Sequence, residues 1–430
     1  MTDLYSPLSL YLHIPFCRHR CAYCDFNTYA GQEESIPAYV EALCRELEFT
    51  GKNAPEKLTL HTVFFGGGTP SLLTPRQFEA VLKTISDHFD LLDLETTIEA
   101  NPGTVSLSDL RDLRSLGINR ISFGVQSANP FELQMLERAH SYFDVINAVT
   151  WARKAGFDNL NLDLIYGLPQ QTLDDWSATV KLTLGLAPQH FSLYALTMEH
   201  GTPFGRWSAR GLMPLPDPDL AADMYEWAGE TLEAAGYQQY EISNWAMDRG
   251  PRTDDRLSSM VYRPPSDACI HNLQYWRGLP YLAAGAGAHG YVNGYRYSNV
   301  LRIKTYIERL LHPSSFNLHP FPLTPATVNY HRQTLQDDMG EFMMTGLRLT
   351  REGVSPQTFR QRFGQELEDV FGKEIEDLIK LGLLEWLDSP LPMGAPFGDD
   401  KGLGVREKGR VRLTHRGRLL GNQVFMRFVG

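Results

Sequence analysis

At 430 residues the chain is too long for one hydrophobic core and suits two or three domains of roughly 150 residues each. Its 51 acidic residues outnumber 40 basic ones, and the formal net charge of -11 argues against a protein whose main task is to wrap nucleic acid electrostatically. No apolar run approaches the roughly 20 residues of a transmembrane helix, so any membrane association would be peripheral. The start MTDLYSPLS lacks both the basic head and the apolar core of a signal peptide, and a cytoplasmic protein is expected.

From residue 8 to about residue 195, short runs rich in β-branched and aromatic residues (8–14, 60–65, 96–100, 120–124, 160–166, 190–195) alternate with segments of helical period (35–49, 75–89, 106–116, 130–155, 173–186). Several of these segments open on Ser, Thr or Asp suited to N-capping, and Gly117, Gly156 and Gly236 stand where helices should stop. Continuous apolar strands separated by helices predict a parallel sheet, and six such units predict an α/β fold built on a partial (βα)6 TIM-like barrel over residues 1–236.

A barrel of this kind carries its chemistry just after each strand. The cysteines follow the first strand, Gly66-Gly67-Gly68-Thr69-Pro70 the second, Glu99-Ala100-Asn101-Pro102 the third and Gly124-Val125-Gln126-Ser127 the fourth, while Asp163 lies near the end of the fifth. Each has a plainer reading, as a tight turn, a structurally paired carboxylate or a loop amide. Their joint placement on one rim favours a shared site.

Beyond a last barrel helix at 219–235, residues 237–245 read as a strand and 247–267 as an exposed insertion. HNLQYW at 271–276 and the small-residue run 283–288 ahead of His289 complete an α+β extension over 237–322. Residues 323–430 predict helices at 328–345, 356–363 and 367–381, a strand at 384–387, a Gly- and Pro-rich segment at 389–409, a strand at 410–414 and a terminal helix. Three helices followed by a two-stranded wing resemble a winged helix. Acidic residues spread through these helices favour a lid or partner-docking role, with no nucleic-acid partner expected.

Cys17, Cys21 and Cys24, spaced C-x3-C-x2-C, are the chemical centre of this plan. Five cysteines, two of them scattered at Cys44 and Cys269, make no disulfide framework and fit metal chemistry in a reducing compartment. Three thiolates on a short loop suit a 4Fe-4S cluster with one iron open to a chelating ligand. A structural zinc would need a fourth ligand from His13, His19 or Cys44, none at motif spacing.

The cysteine spacing, GGGTP and the partial barrel together resemble the radical S-adenosylmethionine (SAM) superfamily. That resemblance implies that the open iron binds the amino and carboxylate groups of SAM, and that an electron from the cluster cleaves its S–C bond. YLHIPFC, CAYCDFN, GVQS and NLDLIYGLPQQT are similar to the oxygen-independent coproporphyrinogen III oxidase group. By that likeness Tyr11 and Tyr23 would support the methionyl part and the cluster loop. Gly67, Gly68 and Thr69 would present backbone N–H groups and a hydroxyl to the ligand, and Glu99, Gln126, Arg138 and Asp163 would hold the methionine and ribose.

Two departures from those oxidases stand out. They have a further cysteine two residues after the third, where this chain has Phe26, and a longer segment ahead of the motif. HNLQYW, in contrast, resembles the HNxxYW motif of the heme chaperone branch of the group, which implies heme binding, a heme-acceptor protein and a reductant for the cluster. His271 would then be a heme ligand, or else a conformational anchor for the C-terminal part, with Cys269, His289 and His13 as other candidates. The alternative function is porphyrinogen oxidation by a radical SAM enzyme.

Overall fold

The structure, a computed structural model, describes residues 7–250, 263–312, 319–388 and 408–429. Most of the expected insertion at 247–267 and of the Gly- and Pro-rich stretch at 389–409 lies outside the described residues.

The six expected strands form as β1 (Leu8–Ile14), β2 (Thr59–Gly67), β3 (Asp90–Ala100), β4 (Arg120–Gln126), β5 (Leu160–Tyr166) and β6 (His190–Ala195). They lie parallel in sequence order. In β1 every residue but Tyr11 is buried, as befits a strand covered on both faces. The helices α1 (Ile36–Asn53), α2 (Pro75–His88), α3 (Leu107–Ser115), α4 (Pro130–Met135), α5 (Tyr142–Lys154) and α6 (Leu173–Leu184) run between them, and α7 (Pro203–Ala209), α8 (Pro218–Ala234), α9 (Ile270–Trp276) and α10 (Ile303–Leu311) follow later in the chain. Reciprocal capping boxes open α2 (Thr74 with Gln77), α3 (Ser106 with Asp109), α5 (Ser141 with Asp144) and α6 (Thr172 with Asp175). Each satisfies two N–H groups at a helix start and so fixes where the preceding rim loop ends.

Later strands extend this sheet at both edges. β7 (Tyr237–Glu241) and β8 (Asn244–Met247) form an antiparallel hairpin against β6, so the single strand expected at 237–245 turns back on itself at Ile242-Ser243. At the other edge β9 (Tyr281–Ala284) pairs parallel with β1 and supplies a seventh parallel strand that the small-residue run gave little sign of. β10 (His289–Val292), β11 (Tyr295–Asn299) and β12 (Thr327–Arg332) follow antiparallel. Among the described residues the order is β12-β11-β10-β9-β1-β2-β3-β4-β5-β6-β8-β7, an open arc rather than a closed barrel.

Two expected helices are corrected. The segment 130–155 breaks between α4 and α5, where Glu137 takes a φ of 55° and Ser141 starts a new helix. The helix expected from 328 begins only at α11 (Leu335–Gly346), because the β-prone run TVNYHR pairs with β11 as β12.

α11, α12 (Pro356–Phe363), α13 (Leu367–Lys380) and the antiparallel pair β13 (Leu384–Asp388) and β14 (Lys408–Leu413) enclose a second core around Phe342, Phe359, Phe371, Ile375 and Phe428. The terminal helix is two short ones, His415–Leu419 and Gly421–Phe425.

Candidate functional site

After β1 the chain leaves the sheet at Pro15 and returns at Tyr29, whose N–H donates to the Pro15 carbonyl at 2.8 Å. Phe16–Cys17 and Tyr29–Ala30 form a two-residue parallel ladder that closes the base of the cysteine loop. The glycine turn after β2 lies directly against that base: Gly68 N–H donates to Ile14 O at 2.9 Å and Thr69 N–H to Phe16 O at 2.8 Å. A Cβ on Gly68 would stand 2.6 Å from Phe16 O, and one on Gly67 (φ +110°) 2.5 Å from the His13 ring, so only glycine permits this approach.

Each cysteine sulfur has a polar side chain beside it. The Thr69 hydroxyl lies 3.6 Å from Cys17 Sγ, Arg138 Nη1 3.6 Å from Cys21 Sγ, and the Thr28 hydroxyl 3.9 Å from Cys24 Sγ. Burial pushes the Cys17 and Cys24 thiols up, and the charge of Cys21 adds to the rise in both. Among the described residues no three His, Cys, Asp or Glu side chains converge as they would on a single ion. The zinc alternative also lacks its fourth ligand. His13 has Nδ1 on the Tyr11 hydroxyl and Nε2 on Asn27 O, Cys44 sits on α1 beside Thr84, and His19, held through Nε2 by Glu137, does not converge with the cysteines on one ion. Three half-buried thiols spread over one loop, each near a donor, are a set suited to a cluster with several irons.

Beneath the loop lies a cavity of about 560 Å³, a size that suits a nucleotide-sized ligand. The strand ends bring Cys17, Cys21, Cys24, Tyr23, Gly67, Gly68, Thr69, Glu99, Gln126, Arg138 and Asp163 to its wall, so all but two of the expected site residues meet there. Glu99 Oε2 accepts from Gly67 N–H at 2.9 Å. Its pKa rises to about 7, chiefly through burial and then through the charge of Asp163. Burial also raises Asp163, against the pull of Ser122, whose hydroxyl donates at 2.7 Å, and of Asn161, whose amide donates at 2.8 Å. A register shift between Gly124 and Gln126 opens a bulge in β4, and Gln126 adopts a φ of 67°. That device turns a side chain that would otherwise alternate with the strand.

Arg138 stands in the break between α4 and α5, which is why that break matters to the site. Its Nη2 donates to Gly124 O at 2.8 Å and also to Asn101 Oδ1, while Asn101 Nδ2 donates to the Thr69 hydroxyl at 3.0 Å. Cys17, Thr69, Asn101, Arg138 and Cys21 are thus joined in one chain of contacts. Asn101, Ser122 and Tyr194 also line the cavity, and Arg120 is buried close enough to Glu99 and Asp163 to favour their ionised forms. Sequence reasoning singled out none of these four as site residues. Asn101 offered a signal, since it follows Glu99 by two residues, while Arg120 opens a strand and reads as an ordinary edge charge.

Tyr11 and His271 are the two expected site residues that do not line the cavity. Tyr11 packs within the sheet against Phe64, with ring centroids 6.2 Å apart, and its hydroxyl meets His13. His271 is buried on α9 (Ile270–Trp276), stacked on Phe64 at 5.0 Å. Its Nδ1 meets the Thr62 hydroxyl at 2.7 Å and its Nε2 the Tyr275 hydroxyl at 2.8 Å, so iron ligation would require breaking one of these bonds. Glu95 accepts from the Ile270 and His271 N–H groups, each at 3.2 Å. On the other side of the helix, Arg348 lies 4.5 Å over the Trp276 ring, and Arg277 makes a bidentate contact with Glu352. The HNLQYW helix therefore ties β2 and β3 to the C-terminal core.

An α/β sheet with a parallel half whose rim carries three clustered cysteines above a cavity of nucleotide size is the arrangement of a radical SAM protein. A family model for the radical SAM superfamily matches residues 11–183, and one for the HemN C-terminal domain matches residues 333–390. "Heme chaperone HemW" of Bacillus subtilis (strain 168) is 35% identical over 98% of this chain and 99% of its own, and the Lactococcus lactis protein of the same name 34% over 99% and 98%. The chain belongs to the HemW family. The solved coproporphyrinogen III oxidase (HemN) from Escherichia coli matches in fold with a TM-score of 0.77 at 24% identity, covering 99% of this chain and 91% of that one.

Proposed function

We propose that the chain is a heme chaperone, binding heme and passing it to an acceptor protein while carrying a 4Fe-4S cluster on Cys17, Cys21 and Cys24 and exchangeable SAM in the cavity below. The observation that carries this reading is the end-to-end likeness to proteins named heme chaperones. Phe26, where the related oxidases have a cysteine, agrees with it.

The residues around the cavity suit the two cofactors. Glu99 offers a carboxylate to the N–H groups of the ligand amine, Asp163 and Gln126 offer acceptors to ribose hydroxyls, and Arg138 carries a buried Nε with no partner that a ligand carboxylate would satisfy. When bound, the cluster and SAM supply one-electron chemistry, for which a reductant is required. The chain's own residues position the ligand, keep water from it and place donors at the cluster sulfurs. All five cysteines are free, and no helix among the described residues is long and apolar enough to cross a membrane.

The second reading, an oxygen-independent coproporphyrinogen III oxidase, draws on the same complete cofactor constellation. Anaerobic incubation of the reconstituted protein with coproporphyrinogen III, SAM and a reductant separates the two. The chaperone yields no protoporphyrinogen yet takes up added heme, whereas decarboxylated product without heme uptake would establish the oxidase.

A further inference from the structure

The mouth of the cavity is formed by the cysteine loop itself, and two histidines line the cavity, His19 and His140. His140 is buried, with Nε2 3.0 Å from the Val125 carbonyl. His19 is open to solvent, its side chain 56% exposed, and its Nε2 lies 3.1 Å from a carboxylate oxygen of Glu137. With its proton on the nitrogen that faces the carboxylate, the imidazole keeps a free lone pair on Nδ1. A carboxylate behind the ring is the usual way of fixing the tautomer and orientation of a metal-ligating histidine. His13 and His271 differ in having both ring nitrogens engaged within the protein.

An aromatic ring is carried on the same loop: Phe26 is 64% exposed and lines the cavity. Arg20 reaches the Cys24 and Phe26 carbonyls at 3.3 and 3.4 Å, which holds the turn that carries Phe26, while Arg18 is exposed on the loop. An axial nitrogen, flat apolar surface and a cation together match a metalloporphyrin: an iron wanting a ligand, a macrocycle that stacks, and carboxylates on one edge.

We propose that heme docks at the mouth of the cavity with His19 Nδ1 as its axial ligand, one face against Phe26 and a propionate toward Arg18. This placement rests on the heme-chaperone reading and adds to it a location. Cargo at this point stands over the cluster loop and covers the way to the cavity, so SAM bound first is retained and SAM offered afterwards is delayed.

The test is anaerobic heme titration of the reconstituted full chain, wild type beside His19→Ala, His19→Tyr and Glu137→Gln, with cluster iron and sulfide measured in each. Wild type should bind one heme with a histidine-ligated spectrum by electron paramagnetic resonance and resonance Raman. His19→Ala should lose that spectrum and bind about tenfold or more weakly, and Glu137→Gln should weaken binding by roughly tenfold. In His19→Tyr the bound heme should take on a tyrosinate-ligated spectrum, a change that loss of folding cannot produce. Wild-type affinity and an unchanged axial spectrum in both His19 variants, with the cluster intact, would overturn the placement. A wild type that takes up no heme at all would instead sink the chaperone reading on which it rests.

Discussion

Glu99 is pulled in opposite directions: burial and the nearby Asp163 charge favour its proton, while the Gly67 N–H and Arg120 favour the carboxylate, and the balance falls at about 7. Glu99 therefore titrates around neutral pH, and a ligand amine N–H that it accepts draws it to the charged form. SAM affinity should rise between pH 6 and pH 8 in the wild type, and Glu99→Gln should flatten that dependence in equilibrium dialysis. At the sulfurs, the Thr69 hydroxyl beside Cys17 should stabilise the reduced, more negative cluster. Thr69→Val should accordingly lower the midpoint potential in a redox titration followed by electron paramagnetic resonance. The residues legible in the sequence were those whose chemistry is local: the cysteine spacing and the glycine turn lie within short motifs. Asn101 stood in the rim stretch after the third strand without a role of its own, and Arg120 was not legible, because its importance comes from what the strands bring beside it.

α9 shows how an element can be recognised while its surroundings stay hidden. HNLQYW stood out as a motif, but only the fold shows His271 between Thr62, Phe64 and Tyr275, with burial holding its pKa down to about 3. In the unfolded chain that histidine titrates near its usual value, so below about pH 6.5 unfolding takes up a proton and stability falls with acidification. Its share of the slope approaches about 1.4 kcal/mol per pH unit down to the folded-state pKa. Urea titrations at pH 7, 6 and 5 should show a shallower decline for His271→Gln than for wild type.

A second hidden junction is Glu46 of α1, which is fully buried and accepts hydrogen bonds from Gly285 N–H at 2.8 Å, Asn299 at 2.7 Å, Tyr306 at 2.5 Å and Thr324 at 2.9 Å. Read from the sequence it is one more helix glutamate. Glu46→Ala leaves four donors without an acceptor and should cost about 3 kcal/mol or more, read as a lower urea midpoint at unchanged slope.

At the scale of the whole molecule, alternation of strands and helices foretold the parallel half of the sheet, because each βα unit is local in sequence. The far edge was harder to foresee. β9 reaches β1 from 272 residues away in register with it, Tyr281 opposite Ser9, and the polar, exposed strand β12 pairs where helical period was expected. The resulting molecule presents its strand ends, cysteine loop and cavity together on one rim, with the C-terminal core held to the sheet through α9. Such a layout suits carrying a cargo over a guarded cofactor. The most direct measurement loads the reconstituted protein anaerobically with one equivalent of heme, adds an excess of a heme-free hemoprotein, and extracts the pigment from both partners. Recovery of chemically unchanged heme in the acceptor, with the cluster still in the donor, is the expected result; heme that never binds, or a porphyrin altered by the encounter, would contradict it.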